Sequence, residues 1–199
     1  MCGIVGHLGP RNSVEIVMEG LKRLEYRGYD SAGICFVNEK KQLSIFKKSG
    51  KLENLRGLIA KEKIIARSCI GHTRWATHGE VNDINSHPHN SDDIALVHNG
   101  IIENAEEIRA ELLAEGVSFQ SETDSEVFLG LLTFLTQKKK MNIMESIALA
   151  FKRIRGNSAF VILNRTTSEI FAIKRGAPLV CGIHDISSEV LVSSDPYAL

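Results

Sequence analysis

The chain has 199 residues, enough for one domain with a sizeable core. Its 24 Lys and Arg residues are cancelled by 24 Asp and Glu residues, so no net field draws nucleic acid or an anionic membrane. With 43% hydrophobic and 24% charged residues the composition is that of a folded chain, and no apolar run approaches the ~20 residues that span a bilayer.

The first apolar run, residues 2–8, begins Cys2-Gly3-Ile4-Val5-Gly6. No basic segment precedes it, so no signal peptide is expected and the chain reads as cytoplasmic, with its cysteines reduced. Cys2 follows the initiator Met directly and becomes the true N-terminus when Met1 is removed. A free N-terminal cysteine carries a nucleophile and a base together, with reference pKa values of about 8.5 for the thiol and 7.7–8.0 for the α-amine. Elsewhere a cysteine that opens a strand is simply a small buried hydrophobe. Here Gly3 leaves the backbone open to close approach, and Ile4-Val5 would anchor the terminus in a sheet.

Val14, Val17, Met18, Leu21 and Leu24 share one helical face, opened by Asn12 and Glu15 in a pattern close to a capping box. Strands are expected at 32–37 and 43–47, then a short helix carrying Leu52, Leu55 and Ile59. Cys35, Cys69 and Cys181 all lie in apolar runs and are expected to be buried; without a C-x-x-C pair, zinc and redox-dithiol readings are weak. A strand at 68–75 runs into the polar loop of the segment Gly71-His72-Thr73-Arg74-Trp75-Ala76-Thr77-His78-Gly79. Arg74 offers a rigid fork suited to a carboxylate, or is an exposed surface arginine. Five histidines follow one another here: His72, His78, His87, His89 and His98. None forms H-E-x-x-H, and no carboxylate or cysteine completes a site around His87-Pro88-His89, so no metal is assigned.

The strand at 94–98 ends in Asn99-Gly100, ordinarily a hairpin turn. A helical pattern follows, from Asn104 to Glu115 with Gly116 as its cap, so the hairpin has no second strand. The amide of Asn99 and the open backbone N–H of Gly100 could instead receive a developing oxyanion. Thr123 and Glu126 read as a capping box for a helix stacking Val127, Leu131 and Leu135. Asp124 lies in its first turn, where the helix dipole favours an acid and where a ligand ammonium could equally be held. Gln137-Lys138-Lys139-Lys140, between two helices, reads as a solvated loop. A last helix carries Met144, Ile147, Phe151 and Ile154, and strands follow at 158–164, 169–174, 178–183 and 189–193.

Strand and helix blocks are grouped rather than alternating, which predicts an α+β domain of two antiparallel sheets, each covered by helices. Cys2, Arg74, Asp124 and the Asn99/Gly100 pair together supply a nucleophile, a cation, an anion and two donors. A zwitterionic amino acid with a reactive carbonyl at its far end needs that set. Glutamine qualifies, although these residues do not choose it over another amide.

The string Cys2-Gly3-Ile4-Val5-Gly6, the segment Arg23-Leu24-Glu25-Tyr26-Arg27-Gly28-Tyr29-Asp30-Ser31-Ala32-Gly33, residues 71–79, His98-Asn99-Gly100-Ile101-Ile102-Glu103-Asn104 and Ser121-Glu122-Thr123-Asp124-Ser125-Glu126 carry a resemblance. Nearly the whole chain resembles the N-terminal glutaminase domain of the glutamine–fructose-6-phosphate aminotransferase family. The resemblance implies an N-terminal-nucleophile (Ntn) hydrolase fold, an αββα sandwich. It implies Cys2 as nucleophile, Asn99 and Gly100 as oxyanion hole, Arg74 and Asp124 binding the α-groups of glutamine, and Trp75, Thr77 and His78 in a loop that closes over it. Arg27 falls in a family motif and receives no role. No cofactor is implied. Family proteins continue with two sugar-isomerase domains, so residues 1–199 are expected to be a glutaminase domain cut short at its C-terminus. Fructose 6-phosphate and homo-oligomer contacts would belong to the missing parts. Phosphoribosylpyrophosphate amidotransferases and asparagine synthetases share the N-terminal cysteine; the Tyr-Arg-Gly-Tyr-Asp-Ser-Ala-Gly and His-Thr-Arg-Trp-Ala-Thr-His-Gly strings favour the hexosamine enzyme. A glutamine-binding module without turnover is the reading from another class.

Overall fold

The computed structural model describes residues 2–28, 30–75 and 81–199. Strand β1 (Gly3–Leu8) is buried on both faces, and the rest of its sheet is built outward from it. It pairs antiparallel with β4 (Ser68–Arg74) on one side and β10 (Glu189–Ser193) on the other. Strands β2 (Ser31–Val37), β3 (Leu43–Ser49) and β9 (Val180–His184) complete the order β3-β2-β4-β1-β10-β9. A second antiparallel sheet has the order β5-β6-β7-β8, from His89–Asn90, Ile94–Gly100, Ser158–Asn164 and Ile170–Arg175.

The two sheets face each other across Ile4, Cys35 and Ile70 from the first and Val97, Ala159 and Val161 from the second. Helices α1 (Ser13–Arg23) and α2 (Leu52–Ile59) cover the outer face of the first sheet, where Val17 and Leu21 pack with Ile34 and Phe36. Helices α3 (Ala105–Ala114), α4 (Asp124–Thr133) and α5 (Ile143–Arg153) cover the second. There Phe128 stacks on Phe160 with centroids 4.0 Å apart, and each buried ring contributes about 1.5–3 kcal/mol. The result is four layers, αββα, as the grouped blocks predict. Both inner strands are covered on two faces, so Ile94–Val97 and Ala159–Leu163 read as continuous apolar runs instead of alternating ones.

Several local expectations are corrected. Cys35 and Cys69 are buried, but Cys181 is exposed because β9 is the edge strand of its sheet. Met144 is exposed and Ile143 packs on the core in its place, while Ile147 and Ile154 are buried as the spacing predicts. The lysine run does not begin as a loop: α4 continues through a wider turn, Phe134–Lys138. Lys138 donates to the Glu115 carbonyl, and the ammonium groups of Lys138 and Lys139 lie 5.8 and 5.2 Å from the Phe134 ring centre. Only half of the capping box forms. Thr123 Oγ1 accepts from the Glu126 N–H at 3.3 Å, whereas the Glu126 carboxylate reaches back to the N–H groups of Gln120 and Ser121. The two-residue strand β5 has no counterpart in the expectations, being too short to show a period.

Candidate active site

The start of β1, the end of β4 and the end of β6 meet at one edge of the sandwich, and the N-terminus of α4 closes over them. Register places Gly3 opposite Thr73, so Cys2 emerges beside Arg74 and Trp75. The Trp75 N–H donates to Cys2 Sγ at 3.2 Å, and the thiol lies 3.7 Å from the Trp75 carbonyl. Burial pushes the Cys2 thiol up, and the Trp75 N–H pulls it partly back. The thiol is therefore protonated near neutral pH and needs a base to become a nucleophile.

From the opposite sheet, Asn99 Nδ2 donates to the Cys2 carbonyl at 3.0 Å. The Asn99 amide and the Cys2 backbone thus bridge the two sheets at the site. Gly100 follows at φ +131°, and a Cβ there would press into the Asn157 carbonyl oxygen, so only glycine ends this strand without strain. The chain then runs into α3, as the failed hairpin pattern predicts.

Asp124 accepts from the Ile102 N–H at 2.8 Å through Oδ2. Its Oδ1 lies 3.9 Å from His98 Nδ1 and receives the Ser125 hydroxyl at 3.3 Å, with the side chain 28% exposed toward the cleft. His98 is buried against Phe160 and held between the Ser125 and Ser158 hydroxyls at 2.8 and 3.2 Å. Burial lowers its pKa to about 4 against the pull of Asp124, so the ring is neutral.

Cys2, Arg74, Trp75, His98, Gly100 and Asp124 line one cleft of about 280 Å³, and Asn99 is held beside it by its bond to the Cys2 carbonyl. That is near the small end of the range for small-molecule sites, roughly 300–1,000 Å³. Arg74 is 6% exposed, so it is not the surface arginine that its type alone would suggest. A thiol, an arginine and a carboxylate in one small cleft suit a zwitterion with an electrophilic centre. Thr77 and His78 lie outside the described residues. Among the described residues no three His, Cys, Asp or Glu side chains converge to hold a metal ion. No helix among them is long and apolar enough to cross a membrane.

Arg27, which the sequence leaves without a role, sits on a short turn, Glu25–Arg27, and braces the strand that carries Cys2. Its Nη1 donates to Asp195 Oδ2 at 2.7 Å and to the Ser194 carbonyl at 3.3 Å, and the Tyr26 hydroxyl donates to the same carboxylate at 2.8 Å. Ser194 Oγ in turn accepts from the Ile4 N–H at 2.9 Å. Gly28 lets this turn touch the Arg74 backbone, where a Cβ would come within 2.8 Å of the Arg74 carbonyl carbon. Arg27→Ala is expected to cost about 1–3 kcal/mol of stability, read as a lowered urea midpoint, because it strips a buried donor from the Asp195 cluster. An unchanged midpoint would show that the brace contributes nothing.

Four layers, with two antiparallel sheets face to face and helices outside, define an Ntn-hydrolase-type fold. The solved structure of glutamine phosphoribosylpyrophosphate amidotransferase from B. subtilis superposes with a TM-score of 0.85 at 25% identity, covering 99% of this chain and 42% of that one. The family described as a glutamine amidotransferase domain matches residues 72–199, and the chain belongs to that family. Among curated relatives, the glutamine–fructose-6-phosphate aminotransferase of Photorhabdus laumondii is 46% identical over 200 residues, spanning 100% of this chain and 32% of that protein. The enzyme of the same name from Bacteroides thetaiotaomicron is 41% identical over 198 residues, again spanning 32% of the relative. The chain thus spans about a third of the length of these relatives.

Proposed function

We propose that this chain releases ammonia from glutamine through a Cys2 thioester, and that residues 1–199 form the glutaminase domain of a glutamine–fructose-6-phosphate aminotransferase. The reading rests chiefly on one observation: the Cys2 thiol opens into the same cleft as Arg74 and Asp124. Relatives at 41–46% identity support the sugar-phosphate enzyme over a phosphoribosylpyrophosphate amidotransferase, whose structural match is 25% identical.

Arg74 takes the α-carboxylate of glutamine and Asp124 the α-ammonium, which directs the side-chain amide toward Cys2. Trp75, with Thr77 and His78, forms the loop over the bound amino acid. The α-amine of Cys2, freed by loss of Met1, accepts the thiol proton. Sulfur adds to the amide carbon, and the C=O electron pair moves onto oxygen, where the N–H groups of Asn99 and Gly100 receive the charge. The proton held by the amine passes to the departing nitrogen as the C–N bond breaks. Ammonia leaves, and water then hydrolyses the thioester to glutamate and restores the thiol. No cofactor takes part in these steps. In the longer protein, other domains bind fructose 6-phosphate, consume the ammonia and carry the contacts between subunits.

The test is glutamate release from glutamine by the chain with Met1 removed, its loss confirmed by intact mass, compared with Asp124→Asn. Losing one charge of the ammonium site raises KM by about 10- to 100-fold, equivalent to about 1.4–3 kcal/mol. The fold is expected to survive, since Asn still accepts from the Ile102 N–H. An unchanged KM would remove Asp124 from the site.

A further inference from the structure

Asn99 can stabilise an oxyanion only if its amide faces the right way, and the hydrogen bonds around it settle which way that is. The atom 3.0 Å from the Cys2 carbonyl must be a donor, because a carbonyl only accepts, so it is the amide nitrogen. The amide oxygen then faces His72 Nε2 at 3.1 Å. That oxygen only accepts, so His72 Nε2 carries the hydrogen. The His98 carbonyl, also 3.1 Å from Nε2, requires the same tautomer independently. His72 Nδ1 is buried and has no hydrogen-bond partner among the described residues. The ring is clamped by the register of β4 between β1 and β2 and packs against His87, tilted by 35° with centroids 4.2 Å apart. Burial lowers its pKa to about 3, so it stays a neutral single donor across the working range. With the oxygen fixed by His72 and one N–H fixed by Cys2, the plane of the Asn99 amide is set. Its second N–H then has one direction.

We propose that His72 is a positioning residue for amide hydrolysis: its Nε2–H locks the Asn99 side chain in the donor orientation that the oxyanion requires. The inference rests on the proposed glutaminase reading and adds to it a residue that does not touch substrate. His72 contributes to the transition state and not to glutamine binding, because the charge on the amide oxygen develops only during attack.

The experiment compares His72→Phe, His72→Asn and His72→Gln in glutamate release, with unfolding midpoints measured on each. Phe keeps the ring without a donor. Asn places its amide near the position of Nδ1, too short to reach Asn99, whereas the Gln amide extends to the position of Nε2. Phe and Asn are expected to lower kcat by about 10- to 100-fold, less than the roughly 10²–10³ that removing an oxyanion donor outright costs, and to change KM less than about twofold. Gln recovers at least about tenfold of the loss. In an Asn99→Ala background the same substitutions cost nothing further, since His72 acts through Asn99. If the Phe variant does not fold, the Asn–Gln contrast decides alone. Equal kcat in the Asn and Gln variants, or an undiminished cost in the Asn99→Ala background, overturns the proposal. Cys2→Ala is assayed alongside: if it still turns over, the glutaminase reading fails, and if it is inactive while the His72 series is flat, only the positioning role fails.

Discussion

Cys2→Ala is expected to lower glutamate release by at least about 10⁴-fold while leaving the unfolding midpoint near that of the parent chain. The thiol is the one group at the cleft that can bond to a carbonyl carbon and later leave as a thiolate. Its removal does not empty the core: the residue is only part-buried, and the Trp75 N–H that it accepts from is at the exposed mouth of the site. Cys2→Ser should be nearly as inactive, since an alcohol lies much farther from the basicity of an α-amine than a thiol does. Burial raises the thiol pKa, which makes the base indispensable. Retention of Met1, which turns the α-amine into an amide, should therefore reproduce the loss with the sulfur still in place. Steady-state glutamate production together with N-terminal mass checks both results, and turnover in Cys2→Ala would discard the nucleophile.

The second large effect is acid lability. His72, His87, His89 and His98 are all buried, and burial is the foremost cause lowering the pKa of each, to about 3 for His72 and about 4 for His98. In the unfolded chain these rings take up protons near pH 6.5. Unfolding therefore binds protons below that pH, so stability is fully present above about 6.5 and falls as pH drops toward the folded values. Four such rings together remove on the order of 5 kcal/mol by about pH 5.5, comparable to the whole stability of a domain this size. Urea midpoints measured between pH 7.5 and 5.5 should fall steeply, before carboxylates begin to titrate. A midpoint unchanged at pH 5.5 would mean that the folded state accommodates these rings charged.

The periodic parts of the sequence announced themselves. Val14, Val17, Met18 and Leu21 lie where helical spacing puts them, and the strands expected at 94–98 and 158–164 form there, with the apolar runs 94–97 and 159–163 buried. Asn99-Gly100 was legible because a helix pattern, not a strand, follows it. What stayed hidden depends on tertiary neighbours. Cys181 sits in an apolar run, yet its strand happens to be an edge. Arg27 finds Asp195 at a separation of 168 residues, and no local pattern encodes that meeting. The tautomer of His72 follows from two carbonyls and an amide that the start of β1 and the end of β6 supply, both far from His72 in the sequence. Asp124 could be placed on a first turn from sequence, but not the Ile102 N–H that orients it.

The strand that bears Cys2 also sets the order in which the domain can be completed during synthesis. β1 is made first, yet one of its two neighbours is β10, and its Ile4 N–H closes on a hydroxyl 190 residues downstream. Until residues 189–194 have left the ribosome, one edge of β1 is an unpaired ladder with its donors and acceptors unmet. The nucleophile is thus the first reactive group translated and among the last to be fixed in place. A nascent chain stalled before β10 is therefore expected to release no glutamate from glutamine, whereas one stalled after residues 189–194 have emerged gains that activity once Met1 is removed.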